Sequence, residues 1–80
     1  MNRFQAMAQI MAMLDKDGSL KPGTNLYKTV RKMVSDKIDR LGPEAAFREV
    51  RAKKAHFLDQ IRILNMWHKH PGKFPPDIDF

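Results

Sequence analysis

The side chains best suited to chemistry in this sequence are lysines and arginines that recur at helical spacing. We define a first basic row (Lys28, Arg31 and Lys32) and a second basic row (Arg48, Arg51, Arg62 and Lys69). Each lysine or arginine that neutralises a phosphate group releases a condensed counterion, so rows of this kind favour binding to DNA or RNA. If the predicted helices that carry the two rows pack antiparallel, the rows lie side by side and form one basic surface.

Readout of bases would need more than phosphate contacts. Residues 34–51 have the helix, glycine turn and helix outline of a helix-turn-helix motif. Lys37, however, stands where the first helix of that motif packs a small residue against the second, and Pro43 stiffens the turn. The second helix is also predicted to be twice the usual length. Contacts with the phosphate backbone are therefore the stronger expectation.

The sequence does not favour catalysis. It has no cysteine nucleophile, no glycine-rich phosphate loop and no Gly-x-Ser-x-Gly motif. Its histidines are poorly placed for a metal site, because His68 and His70 are two residues apart and point to different sides of a helix, while His56 is distant from both. We therefore expect no enzyme, no cofactor, no metal ion and no small-molecule substrate.

The overall charge agrees with a polyanionic partner. The 80 residues carry a net charge of +6, and residues 18–73 hold thirteen lysines and arginines against five acidic residues. Such a field attracts polyanions and speeds their encounter with the protein. The chain is also small, and a domain of this size buries only about 60% of the surface that its unfolded chain exposes. Self-association into a homodimer or higher oligomer is therefore a further expectation.

Turn signals divide the chain into three predicted helices, at about residues 2–14, 25–41 and 43–69. Each carries apolar residues at three-to-four-residue spacing. The stripe of the first helix is Phe4, Met7, Ile10, Met11 and Leu14, and that of the third is Phe47, Val50, Phe57, Leu58, Ile61 and Leu64. Lys54 interrupts the third stripe and is expected at its edge, with the ammonium reaching water.

These patterns predict an all-α protein. The predicted architecture is a small three-helix bundle over residues 1–70, followed by an extended C-terminal tail over residues 71–80. Pro71 and Gly72 mark the boundary, because they end the third helix.

A second kind of surface is indicated by apolar residues that favour contact with protein, namely Met7, Met11, Ile63, Trp67 and Phe80. Methionine repacks readily against varied surfaces, and tryptophan is a common interface anchor. Ile63 and Trp67 need a covering group. Either the tail covers them, through Phe74, Ile78 or Phe80, or another subunit or partner does.

The alternative function is therefore a protein-binding one. In that case the chain is a regulator, inhibitor or assembly adaptor of the kind found among small bacterial or phage accessory proteins. Its basic rows would then grip an acidic protein surface in place of nucleic acid.

The tail sequence Pro75-Pro76-Asp77-Ile78-Asp79-Phe80 combines acids, an isoleucine and a phenylalanine. It resembles the C-terminal tip of bacterial single-stranded DNA-binding proteins, although Asp79 stands where that tip carries proline. The resemblance covers about six residues. It implies that the tail docks onto replication or repair proteins.

Localisation is expected to be cytoplasmic, with no membrane partner. Residues 4–14 are uncharged, but only Arg3 precedes them and no small-residue cleavage site follows, so they do not read as a signal peptide. No apolar run approaches the roughly 20 residues that span a bilayer.

Overall fold

The computed structural model describes all 80 residues and contains four α-helices and no strand. The helices are α1 (Arg3–Leu14), α2 (Asn25–Leu41), α3 (Pro43–Ala52) and α4 (Lys54–Lys69), with a short 3₁₀ turn at Lys16–Gly18. The all-α class predicted from the sequence is confirmed, but the predicted number of three helices is wrong. Residues 70–80 form neither helix nor strand.

The predicted helix over residues 43–69 is two helices, because the chain leaves helical geometry at Lys53 (φ −116°, ψ 34°). The break lies beside Lys54, the residue that interrupts the apolar stripe. Val50 before the break and Phe57 after it are both buried, while Lys53 and Lys54 are exposed.

Only one residue, Gly42, separates α2 from α3. Its φ of 90° lies in the left-handed region that favours glycine, and its N–H donates to the carbonyl of Ile38 at 2.8 Å. Pro43 then opens α3 at a position where a missing N–H costs nothing. This turn is shorter than the three or four residues that join the helices of a helix-turn-helix motif.

Side chains from all four helices build the core. Leu20, in the loop between α1 and α2, joins it and is 4% exposed. Phe4 was predicted on the buried stripe of the first helix but is 83% exposed, because it lies at the edge of α1 beyond the reach of α2 and α3. The fourteen buried apolar residues are Ala6, Ile10, Met11, Leu14, Leu20, Leu26, Val30, Val34, Ile38, Ala46, Val50, Phe57, Ile61 and Leu64.

Lys37 of α2 is the one buried charged residue, at 2% exposure. Its Nζ donates hydrogen bonds to Glu49 Oε1 of α3 at 3.0 Å and to the main-chain oxygen of Phe80 at 2.9 Å. The same Nζ lies 5.0 Å from the centre of the Phe57 ring of α4, in cation–π geometry. One ammonium therefore joins α2, α3, α4 and the tail.

The tail folds back onto the helices at its last three residues. The Phe80 and Phe57 rings lie 5.0 Å apart, Ile78 is half-buried against the core, and Asp79 N–H donates to Gln60 Oε1 at 3.1 Å. Phe74, in contrast, is 75% exposed. Of the three tail residues proposed as covering groups, Ile78 and Phe80 pack against the bundle and Phe74 does not.

The ion pair of Lys37 predicts an asymmetric effect of substitution on stability. Glu49→Ala removes an acceptor from a buried ammonium, and we expect it to lower the free energy of unfolding by about 2 kcal/mol. Lys37→Met removes the ammonium, so no acceptor is needed, and we expect the free energy of unfolding to change by no more than about 1 kcal/mol. Urea unfolding followed by helical circular dichroism measures both.

The matched control for this comparison is Asp59→Ala, which breaks an exposed pair with Arg62. We expect it to change the free energy of unfolding by less than about 0.5 kcal/mol. A Lys37→Met variant less stable than Glu49→Ala would contradict the asymmetry.

Glu49 also makes stability depend on pH. The hydrogen bond from Lys37 holds the pKa of Glu49 below its ordinary value of 4.5; burial opposes this shift, and the charges of Lys37, Lys53 and Arg40 reinforce it. A pKa that is lower in the folded state stabilises the fold above the unfolded-state value, and this contribution disappears as pH falls through the folded-state value.

We therefore expect the urea midpoint to decrease as pH is lowered below 4.5, and to decrease less in Glu49→Gln. The double variant Lys37→Met/Glu49→Gln tests the cause, because without Lys37 the substitution at Glu49 has no hydrogen bond to remove. An equal effect of Glu49→Gln in both backgrounds would rule out Lys37 as the source.

Candidate polyanion-binding surface

The first basic row lies on the exposed side of α2. Lys28, Arg31 and Lys32 line a shallow concavity together with Ser35 and Asp36. Lys32 Nζ is 3.5 Å from Asp36 Oδ2, so its charge is partly offset. Lys28 and Arg31 are exposed and form no ion pair, which leaves them free to contact an anionic partner.

The second basic row is divided by the break at Lys53. Arg48 and Arg51 lie on α3, exposed and without an ion pair, and the Arg51 guanidinium is 5.4 Å from the centre of the Phe47 ring. Arg62 lies on α4, where it donates to Asp59 Oδ1 at 2.6 Å. It borders a separate cleft of about 550 Å³ between α4 and the end of α1.

Lys69 stands at the last residue of α4, exposed and without an ion pair. A cation at this position interacts favourably with the negative end of the helix dipole. This interaction explains the position of Lys69 without any bound ligand. The predicted second row is therefore not continuous. Arg48 and Arg51 form its unpaired part on α3, and Arg62 and Lys69 belong to another part of the surface.

Contacts of α1 connect it to both helices that carry unpaired cations. Arg3 donates to Ser35 Oγ and Asp39 Oδ1 on α2. Ser35 borders the same concavity as the first basic row. The Arg3 side chain therefore reaches the exposed side of α2 that carries this row.

A similar contact ties α1 to α3. The main-chain nitrogen of Met1 lies 3.3 Å from Glu44 Oε1. Glu44, Arg48 and Arg51 are spaced four and three residues apart, so they share one face of α3. The helices α2 and α3 therefore both pack against α1, and both contact residues at its N-terminal end.

The outward face of α1 carries no charge. It is formed by five exposed residues, which we name the α1 ridge: Phe4, Gln5, Ala8, Gln9 and Ala12. Gln5 is partly engaged, since its Oε1 accepts from Asn2 N–H at the start of the helix. The α1 ridge is thus an uncharged surface, and the neighbouring helices α2 and α3 each carry two unpaired cations of the basic rows.

Sequence reasoning missed two further cations, Arg40 and Lys53. Both are exposed and unpaired, and both lie close enough to Glu49 to lower its pKa. The signal for Lys53 was its place beside Lys54, where the apolar stripe is interrupted. Lys37 was also missed as a buried residue, although it stands between Val34 and Ile38 on the apolar side of α2.

The residues predicted to form a protein interface are placed in several environments. Met11 belongs to the core and Met7 packs against it, while Phe80 lies on Phe57. Ile63 and Trp67 are half-buried on α4. Trp67 Nε1 is buried without a hydrogen-bond partner, as is Nδ1 of the adjacent His68.

The helices contain neither a cluster of metal-ligating side chains nor a membrane-spanning segment. No group of three or more histidine, aspartate or glutamate side chains is arranged to hold a metal ion. None of the helices combines the length and the apolar character needed to cross a bilayer. The candidate binding surface consists of the α1 ridge and the unpaired cations of the neighbouring helices.

Two features define this surface: the unpaired cations Lys28, Arg31, Arg48 and Arg51, and the uncharged α1 ridge. No family model, curated protein or solved structure matches the chain.

Proposed function

We propose that this protein binds duplex DNA, with the α1 ridge in the major groove and the flanking cations on the phosphates. The observation that carries the proposal is the arrangement of the unpaired cations. Lys28 and Arg31 lie on α2 and Arg48 and Arg51 lie on α3, and both of these helices pack against α1. Unpaired cations on two helices that neighbour the ridge suit the phosphates of two strands.

Dimensions support this arrangement. An α-helix with its side chains is about 10–12 Å across, and the major groove of B-DNA is about 12 Å wide. The major groove of A-form RNA is deep and narrow, so side chains on a helix do not reach its base edges. DNA is therefore favoured over double-stranded RNA.

The composition of the α1 ridge limits which DNA bases it can recognise. Ala8 and Ala12 are small, so they allow the helix to approach the base edges closely. Gln9 is exposed and free of intramolecular hydrogen bonds, and an amide can pair with adenine in the major groove. A single amide gives little discrimination, so most of the affinity comes from the phosphates.

The affinity for duplex DNA should therefore depend steeply on salt. We expect the double variants Lys28→Ala/Arg31→Ala and Arg48→Ala/Arg51→Ala each to reduce the slope of log K against log salt by about 1.8, because each phosphate contact contributes about 0.9. Fluorescence anisotropy with an arbitrary labelled duplex, over a series of salt concentrations, measures these slopes.

A matched control removes two exposed, unpaired lysines from the loop after α1. Lys16→Ala/Lys21→Ala lowers the net charge by the same amount at a site away from the α1 ridge. We expect its slope to remain close to that of the wild type. The proposal fails if the wild type does not bind at low salt, or if this control reduces the slope as much as the other two variants.

A protein-binding function is the second candidate, and Phe4 is the observation that favours it. Phe4 is 83% exposed within the α1 ridge, and exposed aromatic side chains are frequent anchors of protein interfaces. The same flanking cations would then contact acidic residues of a partner protein. A regulator, inhibitor or assembly adaptor would present such a surface.

The Phe4→Ser variant separates the two candidates. If DNA is the ligand, we expect the salt slope of this variant to be unchanged, because phosphate contacts do not involve Phe4. If a protein is the ligand, a partner captured from nuclease-treated lysate by the wild type should be lost with Phe4→Ser. A partner retained equally by both proteins would count against the second candidate.

A further inference from the structure

The tail is bound to the helices as a peptide ligand is bound. Its main chain makes three polar contacts: Asp79 N–H donates to Gln60 Oε1, the Asp79 carbonyl oxygen lies 3.3 Å from His56 Nε2, and the main-chain oxygen of Phe80 accepts from Lys37 Nζ. Main-chain hydrogen bonds of this kind hold extended peptides in recognition grooves, while alternate side chains provide specificity. We name this site, formed by Lys37, His56, Phe57 and Gln60, the tail groove.

The apolar part of the site follows the same alternation. Ile78 and Phe80 point to the helices and are half-buried, whereas Asp77 and Asp79 are exposed. The Phe80 ring lies 5.0 Å from that of Phe57. The groove therefore distinguishes an Ile-x-Phe spacing from other sequences.

Charge complements this spacing. His56 Nε2 lies 3.5 Å from Asp79 Oδ2, and the groove contains the buried ammonium of Lys37. The exposed cations Arg40 and Lys53 lie near its edge, because both act on Glu49, the ion-pair partner of Lys37. A segment with acidic residues beside Ile-x-Phe is thus preferred over a neutral one.

The connection to α4 holds the tail loosely. Residues 71–77 make no hydrogen bond to the helices, and all of them except Pro76 are exposed. Gly72 is free of nearby atoms and gives the chain a flexible point after α4. The last three residues can therefore leave the groove, and Glu49 then remains as the hydrogen-bond acceptor of Lys37 Nζ.

We propose that the tail groove is a binding site for an acidic Ile-x-Phe segment of a partner protein, and that the chain's own tail is its displaceable occupant. This site is separate from the α1 ridge and does not rest on the proposed binding of DNA. The tail of a second copy of the chain is a poorer occupant. It would make the same contacts as the chain's own tail, and the chain's own tail has an effective concentration in the millimolar range because it is tethered to the groove.

The test uses the full chain with its tail released by Ile78→Ser/Phe80→Ser. The probe is a fluorescent peptide of residues 73–80, blocked at both ends. We expect saturable binding to the released variant and binding at least about tenfold weaker to the wild type, whose tethered tail competes. Bound peptide should also raise the melting temperature of the released variant.

Two peptide variants provide matched controls within the same segment. Phe80→Ala in the peptide should weaken binding at least about tenfold, because the ring against Phe57 is lost. Phe74→Ala should leave affinity unchanged, because Phe74 is 75% exposed in the bound tail. Gln60→Ala in the protein should weaken the binding of every peptide.

Several results would overturn the proposal. They are the absence of saturable binding at millimolar peptide, equal effects of Phe74→Ala and Phe80→Ala, and a dimer of the wild type that disappears in Phe80→Ser. The last result would assign the groove to a second copy. If the released variant does not fold, wild-type protein is titrated with the peptide, and unchanged NMR signals of the Gln60 side-chain amide would refute binding.

Discussion

A lysine ammonium removed from water is the constraint on which the packing of this protein depends. Lys37 is buried, and a buried cation is tolerated only with close acceptors. Those acceptors come from Glu49 on α3 and the main chain of Phe80, while Phe57 on α4 presents its ring face. The need for these groups fixes how α3, α4 and the tail approach α2.

The surface divides into regions with different chemistry. One side carries the α1 ridge with its flanking cations, and the region around Lys37 holds the tail groove. The break at Lys53 contributes to this division, because it separates Arg48 and Arg51 from Arg62 and Lys69. A chain of 80 residues thereby presents a surface suited to phosphates and a groove suited to an acidic peptide.

Local pattern was sufficient to predict α2, which spans Asn25–Leu41 as expected for residues 25–41. It failed at Lys53, because no glycine or proline marks the break. It failed at Phe4, since the edge of a helical stripe is defined by neighbouring helices. For the site, residue types predicted the cations but not the packing of α1 beside them, which depends on contacts of Arg3 with residues distant in the sequence.

Lys37, Glu49 and Phe80 come from three separate parts of the sequence but form one electrostatic unit. Natural selection acts on such a unit as a whole, because a neutral residue at position 37 would end the need for both acceptors. In a lineage with that replacement, residues 77–80 would lose their hydrogen bond to position 37 and would be free to accumulate polar substitutions. Coupled change at positions 37 and 49 is thus the evolutionary signature that this buried charge should leave, because Phe80 contributes a main-chain oxygen that any residue supplies.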